Sequence, residues 1–557
     1  MSLGFRSCCT FIRSERTFCQ SHSSPTSTAF RPTTWKSLER LALLSFPLCV
    51  LPTLSLSLGG CSFFFSFLVS CSCVRCLLSV LLSVTLLSLS LSLSLSLSFR
   101  SLFSFSTSLY FKTEQSMTNI YQRDAELAKK VCVTHGNLFP KPTETYAVLR
   151  AYGENILTAP GGPEWKKHRA LCSPAFSVAN LRLVAETTNL CYKKLFETWD
   201  AAAQENAEGY LETEVNTLET QVKVALAIIA EAGFGVSGTL EQADTYDKTK
   251  HKLPFWEVMF NMTETLWLRL GMPWALKMIP FGMPLKARIA FEEFDNYVKE
   301  MITERKRLAE KDELNSLSSP RGRPDLLTLL LRAEDEESNV KLTDEEIQAD
   351  IFMFLLAGHE TTAHSVTFAL GLIAAHQEVQ QKMYEEIKEL MASKEGDEEL
   401  TYDDYKKLSY VACVFKETLR LFPPAVGMPK IAEEDIQLGD FFVPAKTLVT
   451  VSTWALHRNP KYWPEPDTFK PERFLKTLDE SASGYNVYAY MPFSQGRRIC
   501  LGMKFAETEA ILALANIVYR YSVHIPPSVD RASMFDAHSI ITLTPKHSMK
   551  LIYRKRR

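Results

Sequence analysis

Cysteine is scarce where this chain is most protein-like. Eight of its 13 cysteines fall in residues 1–118, and the rest of the chain holds only Cys132, Cys172, Cys191, Cys413 and Cys500. So odd and scattered a set argues against a disulfide framework and fits a reducing compartment. A basic excess is equally absent. Residues 119–557 carry 53 Lys and Arg against 61 Asp and Glu, so the body lacks the electrostatic footprint of a nucleic-acid binder. No flavin or dinucleotide module is visible in it. Nor is there a long flexible linker: the polar stretch Asn315–Pro324 is too short to separate domains. The body therefore reads as one large unit, although 557 residues could hold two to four average domains.

Residues 1–118 differ: nine Lys and Arg against three Glu leave them basic, yet their centre is almost without charge. Between Leu41 and Phe111 only Arg75 and Arg100 are ionised, and Leu, Ser, Phe, Val and Cys dominate. Cys76–Phe99 is an uncharged run of 24 residues, about 36 Å as a helix and long enough for a bilayer. Against an anchor stands Leu87–Ser98, six successive Leu-Ser pairs. That period of two does not suit a helix and is aggregation-prone as a strand. Leu-Ser alternation is also what a CT dinucleotide repeat encodes. Translated noncoding sequence is thus the first reading of 41–111, a membrane anchor the second, and an Arg/Ser-rich targeting segment (Arg6, Arg13, Arg16, Arg31) the third. Tryptic peptides covering Ser101–Lys112 in the native protein would exclude the first.

What the body does hold is one thiol in an unusual setting. Cys500 lies in Phe493-Ser-Gln-Gly496-Arg-Arg498-Ile-Cys500-Leu-Gly502, just before the helix-forming stretch Met503–Ala515. A helix N-terminus offers unpaired N–H groups and partial positive charge, which predicts a lowered thiol pKa. A lone cysteine is more often a small buried hydrophobe. Five constrained positions in ten, Phe-x-x-Gly-x-Arg-x-Cys-x-Gly, reverse that weighting.

The strongest helix signal opens at Thr343-Asp-Glu-Glu346, a capping box, and runs toward Ile373. Phe354, Ala357, Gly358, Thr361 and Ser365 share one of its faces. A glycine there costs about 1 kcal/mol against alanine, which calls for either a packing reason or a ligand. Glu417 and Arg420, at i and i+3, also share a helix face. A solvated pair of that kind contributes less than about 1 kcal/mol; the apolar flanks predict a buried one.

The Cys500 loop resembles the cysteine-ligand signature of the cytochrome P450 family, the haem-thiolate monooxygenases. Four further segments are similar to that family's, in its order: Trp165-Lys-Lys-His-Arg169, Ala357-Gly358-His-Glu360-Thr361-Thr362, Glu417-Thr-Leu-Arg420 and Phe469-Lys-Pro471-Glu472-Arg473-Phe474. The likeness runs from Asn119 to the C-terminus and fails before that. It implies a mainly α fold with a small β component. The family's first helix and two strands, which precede the segment that Asn119–Ala128 resembles, are not recognisable. The implied organisation is a low-complexity Leu/Ser-rich segment over 1–118 and a haem-thiolate catalytic domain over 119–557.

By the same resemblance Cys500 is the axial ligand of a heme b iron, its thiolate pushing electron density toward the metal. Ala357 and Gly358 face the cofactor, and Thr361 with Glu360 delivers protons to bound oxygen. Trp165, Arg169 and Arg498 point at the haem propionates. So does Lys430, standing where the family often has an arginine; it keeps the charge without the bidentate fork, and His457 is a candidate to compensate. Phe493, Gly496 and Gly502 complete the loop, and Glu417, Arg420 and Arg473 form a structural triad.

Substrate contacts are expected from Leu149–Leu157, Phe354 and Ala357, Ala425–Met428 and His538–Ile541. These are mostly apolar, so the implied substrate is a hydrophobic small molecule, oxidised with O2. Electrons would come through a separate NADPH-cytochrome P450 reductase docking at Lys166, Lys167, Arg497 and Lys504. The stretch Trp267–Pro284 either dips into a membrane surface or packs inside. The expected location is the endoplasmic reticulum membrane with the catalytic domain facing the cytoplasm, mitochondrial targeting ranking lower. A peroxide-driven haem-thiolate isomerase or peroxygenase, and an inactive truncated family member, are the alternatives. Thr361 favours true oxygen activation, because peroxide-rearranging members tend to lack it.

Overall fold

The computed structural model describes residues 57–58, 61–62, 119–236, 247–271, 279–310, 325–332, 341–394, 399–475, 485–531, 533–539 and 541–557. The chain divides into two units, 1–93 and 94–557. In the first, Ser57–Leu58 (β1) pairs antiparallel with Cys61–Ser62 (β2). The candidate span Cys76–Phe99, the rest of 1–118, the polar loop 315–324 and the middle of Trp267–Pro284 lie outside the described residues.

The second unit is helical wherever apolar residues recur at helical spacing. Ala125–Lys129 (α1), Gly162–Cys172 (α2), Val178–Ala202 (α3), Thr217–Phe234 (α4), Phe255–Gly271 (α5), Gly282–Glu310 (α6) and Leu326–Arg332 (α7) lead to the longest, Asp344–Ala375 (α8). Gln377–Ala392 (α9), Ser409–Leu421 (α10), Thr453–Leu456 (α11) and Met503–Arg520 (α12) follow. The capping box forms as the sequence predicts. Thr343 Oγ1 accepts the Glu346 N–H at 3.2 Å, and Glu346 Oε2 accepts the Thr343 N–H at 2.8 Å. Thr343→Ala should therefore lower thermal stability, by about 1 kcal/mol.

At 32 residues α8 spans the unit, roughly 48 Å at 1.5 Å per residue. It is buried almost all round: Ile351, Leu355, Phe368, Leu370 and Ile373 join one core with Ile228 of α4 and Leu512, Leu514 and Ile517 of α12. Each such side chain contributes about 1.5–3 kcal/mol by leaving water. Cys132, Cys172 and Cys413 are ordinary buried residues.

Strands frame this bundle. Asn119–Gln122 (β3) runs parallel to Leu448–Val451 (β9), with Asn119 opposite Leu448, and Met428–Ile431 (β6) pairs antiparallel on the far side of β9. The segment expected to follow lost strands thus itself opens as one, too short at four residues for a periodic signal. A second, antiparallel sheet runs Tyr521–His524 (β10), Lys550–Lys555 (β13), Leu211–Asn216 (β5), Gln204–Glu205 (β4). Two hairpins remain: Ile436–Leu438 (β7) with Phe441–Val443 (β8), and Ala537–Ser539 (β11) with Leu543–Pro545 (β12).

Candidate active site

The Cys500 loop is closed by its own backbone, the Phe493 carbonyl accepting the Cys500 N–H at 2.9 Å. At its bend Gly496 has φ 71°, and a Cβ there would lie 2.4 Å from the Cys132 carbonyl oxygen. Conformation and space both require glycine. Gly496→Ala should cost at least about 1–3 kcal/mol, read as a lower unfolding temperature and less cofactor retained per chain. Gly502 is different. Its φ is −82° and the nearest atom to a built Cβ is 3.9 Å away, so its contribution is the backbone N–H that bonds Cys500.

Cys500 is exposed, yet the surrounding protein desolvates its thiol and pushes the pKa up, against the Gly502 N–H and the charges of Arg169 and Lys141. The accessible face of the loop, with Arg169 and Lys141 close enough to act on the thiol, is the candidate cofactor recess. The lowered pKa expected from the helix start is not found. α12 begins only at Met503, and the loss of water outweighs one N–H and two cations.

Cations crowd one side of that recess. Arg169 donates Nη1 to the Ile499 carbonyl at 2.9 Å, fastening α2 to the loop. Arg498 donates Nη2 to the carbonyls of Ala159 and Pro160, each at 2.6 Å. Its guanidinium sits 4.3 Å over the Trp165 ring, and its buried Nη1 has no partner. Burial holds Arg498 down to about 10. Lys430, buried on β6, and Lys141, whose Nζ donates to the Leu157 carbonyl at 2.7 Å, are both depressed by burial. Repulsion from Arg498 lowers both further, and Lys430 adds to the effect on Lys141.

Among the described residues no carboxylate pairs with Lys141, Arg169, Lys430 or Arg498. Four cations without acid partners, beside an accessible thiol, match a cofactor bearing carboxylates. Lys141 escaped the sequence reading because nothing in Phe139-Pro-Lys-Pro142 marks it. His457 does not compensate for Lys430. It is fully buried, accepts the Met491 N–H at Nε2 (2.8 Å), and burial pulls its pKa down to about 3, so it is neutral.

The facing wall is the middle of α8. Ala357 is exposed there, between buried Leu356 and half-buried Gly358. Thr361 donates Oγ1 to the Ala357 carbonyl at 2.8 Å, and Phe354 meets Phe176 edge-on at 5.6 Å. At Gly358 a Cβ would come within 3.2 Å of Ile229 Cγ1. The close crossing of α4 is thus a packing reason for a small residue here, alongside the cofactor contact expected from the sequence. Burial raises the Glu360 carboxyl, whose Oε2 accepts from Thr542 Oγ1 at 3.1 Å.

The segments expected to touch substrate converge on this helix. The β11–β12 hairpin is tied to the 425–428 turn through the Leu543 N–H and the Pro424 carbonyl, 2.8 Å. The 149–157 loop is pinned by Asp350, whose Oδ1 accepts the Ile156 N–H at 2.8 Å while Oδ2 lies 2.6 Å from His168 Nδ1. Asp350, His168 and Thr542 were missed. His168 was overlooked inside the Trp165–Arg169 motif itself.

Behind the loop, Arg420 and Glu417 are fully buried. Arg420 grips Glu417 with Nε at 2.7 Å and Nη2 at 2.8 Å, and donates to the carbonyls of His457, Pro466 and Thr468. Arg473 Nε and the Lys470 N–H complete Glu417 Oε1 at 3.2 and 2.9 Å. On the outer surface the expected basic patch is thinner than the sequence suggests: Lys167 is paired with Glu346 and Lys504 with Glu507. Lys166 and Arg497 are exposed.

A mainly helical unit with a cysteine-bearing, cation-lined cofactor recess defines a haem-thiolate class of protein. The chain belongs to the cytochrome P450 family: the family model described as Cytochrome P450 matches residues 86–551. That match starts upstream of Asn119, earlier than the motifs alone reach. The chain is 34% identical to Cytochrome P450 monooxygenase 124 of Postia placenta over 78% of its own length and 82% of the relative's. With Cytochrome P450 3A31 of Mesocricetus auratus the identity is 30%, covering 68% and 73%. Among solved structures, the cytochrome P450DA heme domain superposes with a TM-score of 0.64 at 24% identity, covering 78% of this chain and 88% of that one, which shows the fold. The protein is accordingly a haem-dependent monooxygenase, an oxidoreductase that uses O2, a redox partner and cysteine-thiolate ligation of iron. Among the described residues no helix is long and apolar enough to cross a membrane.

Proposed function

We propose that Cys500 ligates the iron of heme b and that the enzyme hydroxylates a hydrophobic small molecule, with electrons from NADPH through an NADPH-cytochrome P450 reductase. The observation that carries this reading is the meeting of one accessible thiol with four cations that no carboxylate neutralises. Bound there, haem supplies oxygen activation that no side chain can perform. Arg169, Arg498, Lys141 and Lys430 hold its propionates, Trp165 backs the Arg498 guanidinium, and Phe493, Gly496 and Gly502 shape the loop. Ala357 leaves room on the α8 face. Glu360 holds a proton on its carboxyl, at the oxygen not bonded by Thr542, and Thr361 passes one inward at Oγ1. The apolar segments 149–157, 425–428 and 538–541 exclude water and select an apolar substrate. Glu417, Arg420 and Arg473 fix the loop from behind.

The proposed setting is the endoplasmic reticulum membrane with residues 119–557 facing the cytoplasm, and residues 1–118 as a separate low-complexity segment. The test is the carbon-monoxide difference spectrum of the dithionite-reduced protein. A strongly red-shifted Soret band supports thiolate ligation; a band in the position of a neutral ligand, or none, overturns it.

Cofactor removal should also show in the pH dependence of stability. Lys141 and Lys430 are depressed in the cofactor-free fold, so between those values and the ordinary lysine range the unfolded chain binds more protons. The contribution of these two lysines to the stability of the haem-free protein therefore rises with pH across that window, and it is isolated by comparison with Lys141→Met and Lys430→Met. With propionates in place both pKa values return upward and the slope shrinks. Thermal unfolding of both forms, from neutral to mildly alkaline pH, reads the difference.

A further inference from the structure

We infer that Thr542 and His364 form the outer half of a proton path whose inner half is Glu360 and Thr361, with the β11–β12 hairpin feeding the half-buried acid. The inference rests on the proposed role of Glu360 as proton donor, and extends it to residues outside the α8 motif.

Three contacts carry it. Thr542 Oγ1 lies 3.1 Å from Glu360 Oε2 and 3.3 Å from His364 Nδ1, so one hydroxyl bridges two titratable groups. Thr544 Oγ1 also lies 3.3 Å from that Nδ1. Glu360 and His364 stand four residues apart on α8 and so face the hairpin together. In the hairpin register Thr544 is opposite His538, which is exposed. Thr542 and Thr544 thus flank the same ring nitrogen, and the order of donation inward is His364, Thr542, Glu360.

The groups suit the task. A threonine hydroxyl has one proton to give and lone pairs to receive another. His364 is only 4% exposed, and burial holds it down to about 3, with His359 and His538 acting in the same direction and the Leu543 backbone against them. A neutral imidazole keeps one N–H and one bare nitrogen, so it can pass a proton without a lasting charge in a dry place. His359, the other ring on this stretch, is committed to the Leu355 carbonyl through Nδ1.

The transfer balances. Glu360 releases its proton inward toward Thr361, and Thr542 Oγ1–H replaces it at Oε2. Thr542 takes a proton from His364 Nδ1–H, and His364 Nε2 takes one from the solvent side. One proton enters, one leaves and every group keeps its charge; His364 ends as the Nε2–H tautomer and is reset by returning that proton to solvent and regaining one at Nδ1 before the next transfer.

The first test needs no turnover. In purified holoprotein at mildly acidic pH, the infrared C=O stretch of protonated Glu360 is assigned by its disappearance in Glu360→Gln. Thr542→Val should shift that band to higher frequency and Thr542→Ser should restore it; an unmoved band in Thr542→Val overturns the path. The second test uses NADPH, a surrogate reductase and no added substrate, and reads the ratio of hydrogen peroxide to water formed from O2. Thr542→Val and His364→Phe should raise it severalfold and change its solvent deuterium dependence, with Thr542→Ser near the wild type. If Glu360→Gln raises the ratio and neither hairpin-side variant does, the path is wrong although Glu360 is the donor. If Glu360→Gln itself changes nothing, the underlying role of Glu360 falls instead.

Discussion

Cys500→Ser, expressed with added haem precursor, is expected to lose the red-shifted carbon-monoxide Soret band and all NADPH-dependent oxygenation. The expectation follows from the lack of any substitute. Cys500 is the one exposed cysteine among the described residues, and the other four are buried. Cys132 comes nearest in sequence logic, since its carbonyl abuts Gly496, but its thiol is buried and its pKa is raised by desolvation. A serine hydroxyl at position 500 can ligand iron only weakly and cannot push electron density as a thiolate does. Loss of the metal-free thiol costs the fold little, so the variant should remain folded and show a normal far-UV circular dichroism spectrum. A variant that keeps the red-shifted band would remove Cys500 from its proposed position.

The thiol also shows what a sequence can and cannot disclose. Its neighbour Gly496 was legible because a positive φ is a local demand, whereas Phe493 and Arg498 were read from the family's motif. The direction of the thiol pKa was not legible. That depends on how far the protein around the sulfur, with Arg169 of α2 and Lys141 nearby, displaces water, and such crowding has no sequence period. Lys141 and Thr542 were hidden for the same reason. Each lies far along the chain from the group it serves, in a segment without regular spacing. Gly358 shows the converse: its position in the motif was plain, but the tight approach of Ile229 to it has no trace in the sequence. The long helix was the easiest element to read, since its cap, its length and its apolar faces are all local properties. His457 was the least legible. As a residue type it could be a cation, a ligand or an acceptor, and full burial beside Arg420 decides for the neutral acceptor.

Glu417→Gln and Arg420→Ala are the other two substitutions expected to be severe, and for a different reason. Neither side chain faces the recess, so no change in substrate handling is expected from their loss. Both are fully buried, and breaking such a pair from one side leaves an uncompensated charge, at a cost of about 3–5 kcal/mol. Arg420→Ala also orphans three carbonyls, those of His457, Pro466 and Thr468, which lie in the stretch that leads into the Cys500 loop. Glu417→Gln keeps the volume but loses an ionised acceptor shared by Arg420, Arg473 and the Lys470 N–H. It should therefore be the milder of the two. The measurement is haem per folded chain, with unfolding temperature alongside: both variants should fall in both, Arg420→Ala to little or no holoprotein. Arg473→Ala, whose guanidinium is only partly buried and makes one contact to Glu417, should fall between Glu417→Gln and the wild type. Were Arg420→Ala to load haem normally and fail only in turnover, the triad would have to act on the chemistry directly, and a purely structural role would be wrong.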